Sequence, residues 1–339
     1  MTLNHRILLA SRPVGMPSLG NFDSAEEPIT QPGENEILVR NLWLSLDPYM
    51  RFLMDSGEAY SPPVQVGAVM HGRTVGRVLE SRDARFRPGE YVLGEGQWQE
   101  YCLMTAEGTR KLENETVPLS TALGVLGWPG QTAWVGMKYF ADLKTGETVV
   151  VSSAGGAVGS AAGQIAKLKG CRVVGIAGGP DKTRYVVEKL GFDACVDHRV
   201  PNFAEALAAA CPNGVDVNFE NVGSQVLKTV WPLLNDFARV LICGLIAEYN
   251  GQSPSAPELN SLLLKRIRMQ AFFIGDHLSR TQEFLNEVTP LVREGKIKYR
   301  EDIVEGLDNA PRAFSRLVPG TKSWKVDRAH CRLRSRLAP

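Results

Sequence analysis

The chain has 339 residues, 44% of them hydrophobic and 22% charged, and a formal net charge of +1. That length accommodates two domains with a large core, the composition is ordinary for a globular protein, and a near-neutral balance offers no field to draw in nucleic acid or an anionic membrane. No run approaches the ~18 apolar residues that would span a bilayer, and Ile7 to Ala10 is too short for a secretory leader, so a cytoplasmic enzyme is expected. The six cysteines, at 102, 171, 195, 211, 243 and 331, contain no CxxC pair, and the five histidines, at 5, 71, 198, 277 and 330, have no ligand-type spacing. Neither a disulfide framework nor a bound metal is expected.

In chain order, the first 125 residues read as a β-rich domain. Ile37 to Leu46, Gly76 to Glu80, Tyr91 to Gly94 and Trp98 to Met104 have strand character, bounded by turns such as Arg87-Pro88-Gly89-Glu90. Between the first two, Asp47 to Tyr60 and Ser61-Pro62-Pro63 form an irregular polar and aromatic segment of the kind that carries ligand contacts on a sheet scaffold. Leu119 to Leu126 has helical spacing, Gly127-Trp128-Pro129-Gly130 breaks it, and Gln131 to Phe140 resumes a helix.

Thr148 to Lys182 then reads as one βαβ unit. An apolar β-branched run, Thr148 to Val151, leads into a turn of small residues, a helix from Val158 to Lys169, and a second apolar run from Cys171 to Ala177. Ala154-x-Gly156-x-x-Gly159 fits the dinucleotide fingerprint with Ala in place of the first glycine. Gly156 would let the backbone approach a pyrophosphate and Gly159 would let helix and strand pack closely. The backbone of Ala154, Gly155, Gly156, Ala157, Val158 and Gly159, at a helix N-terminus, is the expected phosphate cradle. An NAD site places an acid about 20 residues beyond the glycines. Here the strand ends in Gly178, Gly179 and Pro180, followed by Asp181 and Lys182. Lys182, with Arg184 in reserve, is the candidate cation for a ribose 2′-phosphate, which makes the expected cofactor NADPH.

Helix and strand keep alternating afterwards. Helices are expected over Thr183 to Leu190, Phe203 to Ala210 and Gln225 to Leu234, and strands over Ala194 to Asp197, Val215 to Glu220 and Ala238 to Cys243. This pattern implies a parallel sheet covered on both faces, whose ligand lies beyond the carboxyl ends of the strands. Asn221-Val222-Gly223, Cys243-Gly244-Leu245 and Phe272-Phe273-Ile274-Gly275 each end or follow a strand and are expected to line the cofactor cleft. The fold class is therefore α/β.

Several stretches carry a resemblance: Leu44 to Arg51 (LSLDPYMR), Gly127 to Ala133 (GWPGQTA), the fingerprint, Gln164 to Cys171 (QIAKLKGC), Glu220 to Gly223 (ENVG), and Cys243-Gly244 with Tyr249-Asn250. Together they make the chain similar to zinc-independent medium-chain dehydrogenases/reductases, the branch of prostaglandin and leukotriene reductases, alkenal double-bond reductases and bacterial curcumin reductases. The resemblance implies a GroES-like β-rich catalytic domain at 1–125, a Rossmann domain with a doubly wound parallel sheet at 126–298, and a return to the catalytic domain at 299–339 with a divergent tail. It also implies a homodimer that reduces the C=C bond of α,β-unsaturated ketones and aldehydes with NADPH. By the family's pattern Lys182 meets the 2′-phosphate, His198 stands where relatives often carry a Tyr that touches it, Asn221 lies by the nicotinamide, and Tyr60 and Tyr249 lie in the substrate pocket, Tyr249 also beside the cofactor.

Three departures stand out. Trp128 replaces a usual Met, the stretch from Tyr249 to Ser261 is short, and the closing motif appears as Gly320-Thr321-Lys322-Ser323-Trp324-Lys325. Zinc-dependent relatives carry Gly-His-Glu where this chain has His71-Gly72-Arg73. Without a Lewis acid, conjugate reduction is the easier chemistry, since the protein need only orient an enone and stabilise an enolate oxygen. Tyr249 and Tyr60 are the expected catalytic donors. A quinone reductase and a non-enzymatic NADPH-binding protein are the alternatives.

Overall fold

In the computed structural model, residues 2–57, 61–112, 117–249, 259–317 and 329–333 are described. The chain divides into two compact units, one of residues up to 124 together with described residues from 301 onward, the other of residues 125–300.

The first unit opens with β1 (Leu3–Leu9) paired antiparallel to β2 (Phe22–Pro28). β3 (Glu36–Ser45) is the central strand of a larger sheet with β4 (Thr74–Ser81), β5 (Tyr91–Gly94), β6 (Tyr101–Thr105) and β7 (Arg110–Leu112). Alternate residues of β3, Ile37 and Val39, point into a core with Val78, Phe86, Val92, Cys102 and Met104, the period-2 pattern that made this strand readable. A one-turn helix α1 (Met50–Leu53) follows β3.

The second unit begins with α2 (Trp128–Val135). The expected break at Gly127 to Gly130 is instead the helix start, and the helix expected over 131–140 ends in a widened π turn at Gly136–Phe140. Pro129 sits in the first turn, where a missing N–H costs nothing, and a Cβ on Gly130 would lie 1.9 Å from the Val125 carbonyl oxygen, so only glycine admits this approach. The expected helix at 119–126 is a 3-10 turn, Leu119–Leu123, in the first unit. Next come β8 (Thr148–Ser152), α3 (Ala157–Leu168), β9 (Arg172–Ala177), α4 (Pro180–Glu188), β10 (Ala194–Asp197), α5 (Phe203–Ala210), β11 (Val215–Glu220) and α6 (Ser224–Val230). Pro232 ends the last helix in a 3-10 turn, so β12 (Leu234–Ile242) starts four residues before the strand expected at 238. α7 (Leu259–Leu264), β13 (Arg268–Ala271) and α8 (Thr281–Arg293) complete the unit.

The six strands lie in the order β10-β9-β8-β11-β12-β13 and every pairing is parallel. The strand order therefore reverses between β8 and β11, the topological switch point of a doubly wound sheet. Val150, Val174, Phe203, Leu207, Val226, Val230 and Trp231 form one core beneath α5 and α6. On the other α-helical layer Trp134 of α2 packs on Phe284 of α8. The chain then returns to the first unit with β14 (Asp302–Glu305), α9 (Ala310–Leu317) and β15 (Ala329–Arg332), the last lying parallel to β14 and antiparallel to β3.

Candidate active site

The fingerprint turn sits at the switch point. After β8, Ser153 takes a left-handed conformation (φ 50°) and its carbonyl accepts the Gly156 N–H at 2.8 Å, which turns the chain into α3 with Gly156 at its N-cap. A Cβ on Gly159 would lie 2.4 Å from the Ser153 carbonyl oxygen, so the first turn of α3 rests directly on the main chain of the loop. The Cβ of Ala154 already lies 2.8 Å from where one would stand on Gly175 of β9, and the Ala154 N–H donates to Ile176 at 3.0 Å. The first fingerprint position thus has room for a methyl because the opposing strand supplies the glycine. Gly155, Gly156, Ala157 and Val158 are all partly exposed at the N-terminus of a twelve-residue helix, whose dipole favours an anion there.

Across the switch point, Glu220 at the end of β11 is fully buried and organises the neighbouring turn. Its Oε1 accepts from Ser152 Oγ (2.7 Å), Val222 N–H (2.7 Å) and Gly223 N–H (2.9 Å), and its Oε2 accepts from Asn218 Nδ2 (3.1 Å). Asn221 donates its N–H to Ser152 Oγ and its Nδ2 to the Ser152 carbonyl, both at 2.7 Å. The Glu-Asn-Val-Gly stretch therefore clamps β11 to the fingerprint strand, a role that the sequence pattern alone did not reveal.

The rim of β9 and β10 is the second feature. Lys182, in the first turn of α4, is only 9% exposed, whereas Arg184 pairs with Asp181 at 3.6 Å on the exposed face of the same helix. His198 follows β10 and donates its N–H to the Ala177 carbonyl at 3.1 Å. Partial desolvation lowers the His198 pKa; Asp197 opposes this, and Arg199 and Lys182 reinforce it. Lys182, His198 and Arg199 thus share one electrostatic neighbourhood. Arg199 was not picked out from the sequence, although the strand order that places β10 beside β9 is the signal that brings it to this rim.

The segment after β12 folds back over the Glu220 turn. Cys243 and Gly244 donate their N–H groups to the Glu220 carbonyl, and the Leu245 N–H donates to Tyr249 Oη at 3.1 Å. Burial holds the Tyr249 phenol above its ordinary pKa and pushes the Cys243 thiol up to about 12, so both keep their protons at neutral pH. A Cβ on Gly244 would lie 3.2 Å from Tyr249 Oη, which places the phenol at the carboxyl end of β12. Phe272 stacks on Phe140 (5.1 Å between centroids) and meets Phe219 edge-on, and its N–H donates to the Ile242 carbonyl at the end of β12 at 3.4 Å. Ile274 opens a 3-10 helix, Ile274–Arg280. Tyr60 and Asn250 lie outside the described residues.

The first unit holds a charged cluster of its own. Ser45 Oγ donates to Asp47 at 2.5 Å, Tyr49 Oη lies 3.4 Å from His71 Nδ1, and Glu95 lies 3.2 Å from both His71 Nε2 and Arg73 Nε. Burial raises the Asp47 carboxyl to about 6, against the opposing pull of Ser45 and Arg73. Among the described residues there is no group of three or more His, Cys, Asp or Glu side chains placed to hold a metal ion.

Residues 5–112 match a family described as the N-terminal domain of oxidoreductase, and residues 157–292 one described as zinc-binding dehydrogenase. The chain is 48% identical over 330 residues to the NADPH-dependent curcumin reductase of Escherichia coli, covering 95% of this chain and 96% of that one. It is 37% identical to an NADP(+)-dependent 2-alkenal reductase of Nicotiana tabacum, covering 95% and 96%. Among solved structures, CurA of Vibrio vulnificus in complex with NADPH superimposes with a TM-score of 0.92 at 45% identity, covering 98% of this chain and 99% of that one.

Proposed function

Because the chain belongs to the medium-chain dehydrogenase/reductase family, we propose that it is an NADPH-dependent reductase of the C=C bond of α,β-unsaturated ketones and aldehydes. The observation that carries this reading is the β8–β11 switch point: a phosphate cradle at the α3 N-terminus, a glycine-only strand end after β9, and a mostly buried Lys182 beside it where an NAD site would carry an acid. The relatives named for curcumin and 2-alkenal reduction supply the substrate class.

The residues present fit this cofactor: Gly155, Gly156 and Ala157 leave the main chain at the α3 N-terminus partly exposed, and Gly178 has no side chain at the rim, where a Cβ would stand 2.9 Å from His198 Nε2 and Arg199 Nε. When bound, NADPH would supply a hydride to the β-carbon; the negative charge gathers on the carbonyl oxygen until the α-carbon takes a proton. The protein must then hold the diphosphate at the α3 N-terminus, match the 2′-phosphate with Lys182, and place a donor against the developing charge. Tyr249 suits this last role, because its oxygen accepts the Leu245 N–H, which fixes the ring, and its raised pKa keeps the phenolic proton in place for donation. The resemblance that singled out Tyr60 makes it the second donor. Tyr249→Phe is expected to lower kcat about 10²-fold; full turnover in that variant would remove Tyr249 from the role.

A homodimer is part of the same reading. β13 is the edge of the sheet, all four of its residues are exposed, and Phe237 (63%), Leu263 (73%) and Leu264 (62%) are exposed near it. Among the described residues no strand pairs with the outer side of β13, and such an edge with apolar neighbours is a surface for pairing with a second copy, which light scattering would report as twice the chain mass. No helix among the described residues is long and apolar enough to cross a membrane.

The deciding experiment is NADPH depletion across enones of graded size, alkenals and quinones. Turnover of enones supports the proposal. Turnover of quinones alone would make this a quinone reductase, and tight NADPH binding without oxidation of any substrate would make it a non-enzymatic binding protein.

A further inference from the structure

We infer that Arg199 is a specificity-determining residue of the cofactor site, a third member of the Lys182–His198 rim that clamps the ribose 2′-phosphate from the β10 side. The inference rests on the NADPH reading above and extends it to a residue that neither the fingerprint nor the βαβ unit contains.

Three observations carry it. First, the guanidinium lies across the strand end where the adenosine ribose of a doubly wound dinucleotide site is held. A Cβ on Gly178 would stand 2.9 Å from Arg199 Nε and Nη2 and 2.9 Å from His198 Nε2, and a Cβ on Gly179 would stand 2.4 Å from Arg199 Nη2. The two consecutive glycines therefore make the space that the guanidinium fills. Second, the carboxylate that contacts Arg199 is committed to shaping the rim. Asp197 accepts the Arg199 main-chain N–H at 3.0 Å and the Gly179 N–H, which ties the ends of β9 and β10 together, and its Oδ1 lies 3.5 Å from Arg199 Nε. That contact is on the Nε side and sets the direction of the side chain, whose terminal nitrogens extend over the glycines. Third, the rim has a positive excess. Lys182, Arg184 and Arg199 stand there with Asp181 and Asp197, and Asp181 faces Arg184 on the exposed side of α4, so the inner part of the rim favours an anion. A planar fork suits phosphate bidentately, which a lysine on the opposite side cannot imitate.

The test uses the cofactor-free protein and calorimetric titration with 2′,5′-ADP and with 5′-AMP, which differ only in the 2′-phosphate. The wild type is expected to prefer 2′,5′-ADP. Arg199→Ala should weaken 2′,5′-ADP about tenfold, some 1.4 kcal/mol, and leave 5′-AMP unchanged, which also reports an intact fold. Arg199→Lys should recover only part of the loss. Retention of wild-type 2′,5′-ADP affinity in Arg199→Ala while Lys182→Ala loses it would overturn the inference and leave the NADPH reading standing. Equal binding of the two nucleotides by the wild type would instead strike at the NADPH reading itself.

Discussion

The switch point of the second unit and the Asp47–Glu95 cluster of the first are both dense in polar groups, yet they are built on opposite principles. At the switch point the fully buried carboxylate of Glu220 accepts from four donors: Ser152 Oγ on β8, Asn218 Nδ2 on β11, and the Val222 and Gly223 N–H groups of the turn after β11. In the first unit Asp47 accepts from Ser45, and burial drives it toward its neutral form. The first arrangement uses a carboxylate as a structural clamp that fixes the backbone of the turn after β11. The second gathers Tyr49, His71, Arg73 and Glu95 around one another, where burial lowers the Arg73 pKa against the opposing pull of Glu95, Tyr49 and Asp47.

The comparison breaks first at Gly159. Because its Cβ position lies 2.4 Å from a main-chain oxygen, Gly159→Val has no side chain to push aside and must separate α3 from the fingerprint loop. A loss of about 3 kcal/mol or more is expected, read as a fall in thermal midpoint together with loss of nucleotide binding. A variant with wild-type stability would show that the close approach is not required.

Glu220→Ala comes next. It strands the Ser152 hydroxyl and the Val222 and Gly223 N–H groups, and about 2–4 kcal/mol should be lost in denaturant unfolding. Glu220→Gln keeps an acceptor at Oε1 and should recover part of it. Equal loss in both would mean that the negative charge, rather than the acceptor, holds the turn.

The sharpest contrast belongs to Asp47→Asn, which is expected to stabilise where the other two destabilise. With a folded-state pKa of about 6 against an ordinary 3.8, the folded protein binds this proton more tightly than the unfolded chain, so stability is lost as pH rises through that window. Asn at this position should match the wild type below pH ~4 and exceed it above pH ~6, by up to about 3 kcal/mol. A difference independent of pH would show that folding leaves the Asp47 pKa unshifted.

How much of this was legible in the sequence follows from distance along the chain. β8, its turn, α3 and β9 are neighbours in sequence, so the periodicity of each and the spacing of Ala154, Gly156 and Gly159 announce the cradle. β2 was not legible: its burial alternates without an apolar series, because Asp23, Ser24, Glu26 and Glu27 carry its polar character and it pairs with a strand more than ten residues earlier. α8 carries Pro290 and a 3-10 helix runs directly into it, which masks its helical period. The site divides in the same way. Lys182 could be placed from its spacing to the glycines, whereas Arg199 and the Glu220 clamp depend on which strands become neighbours, and the His71–Glu95 pair joins two stretches of chain that meet only through the sheet.

That this protein uses NADPH to reduce a carbon–carbon double bond conjugated to a carbonyl is tested most directly by one turnover of a simple enone with 4-deuterated NADPH, followed by NMR of the product. Deuterium on the β-carbon, with the carbonyl retained, is the result expected here; deuterium on the carbonyl carbon would contradict it and make the protein an alcohol dehydrogenase.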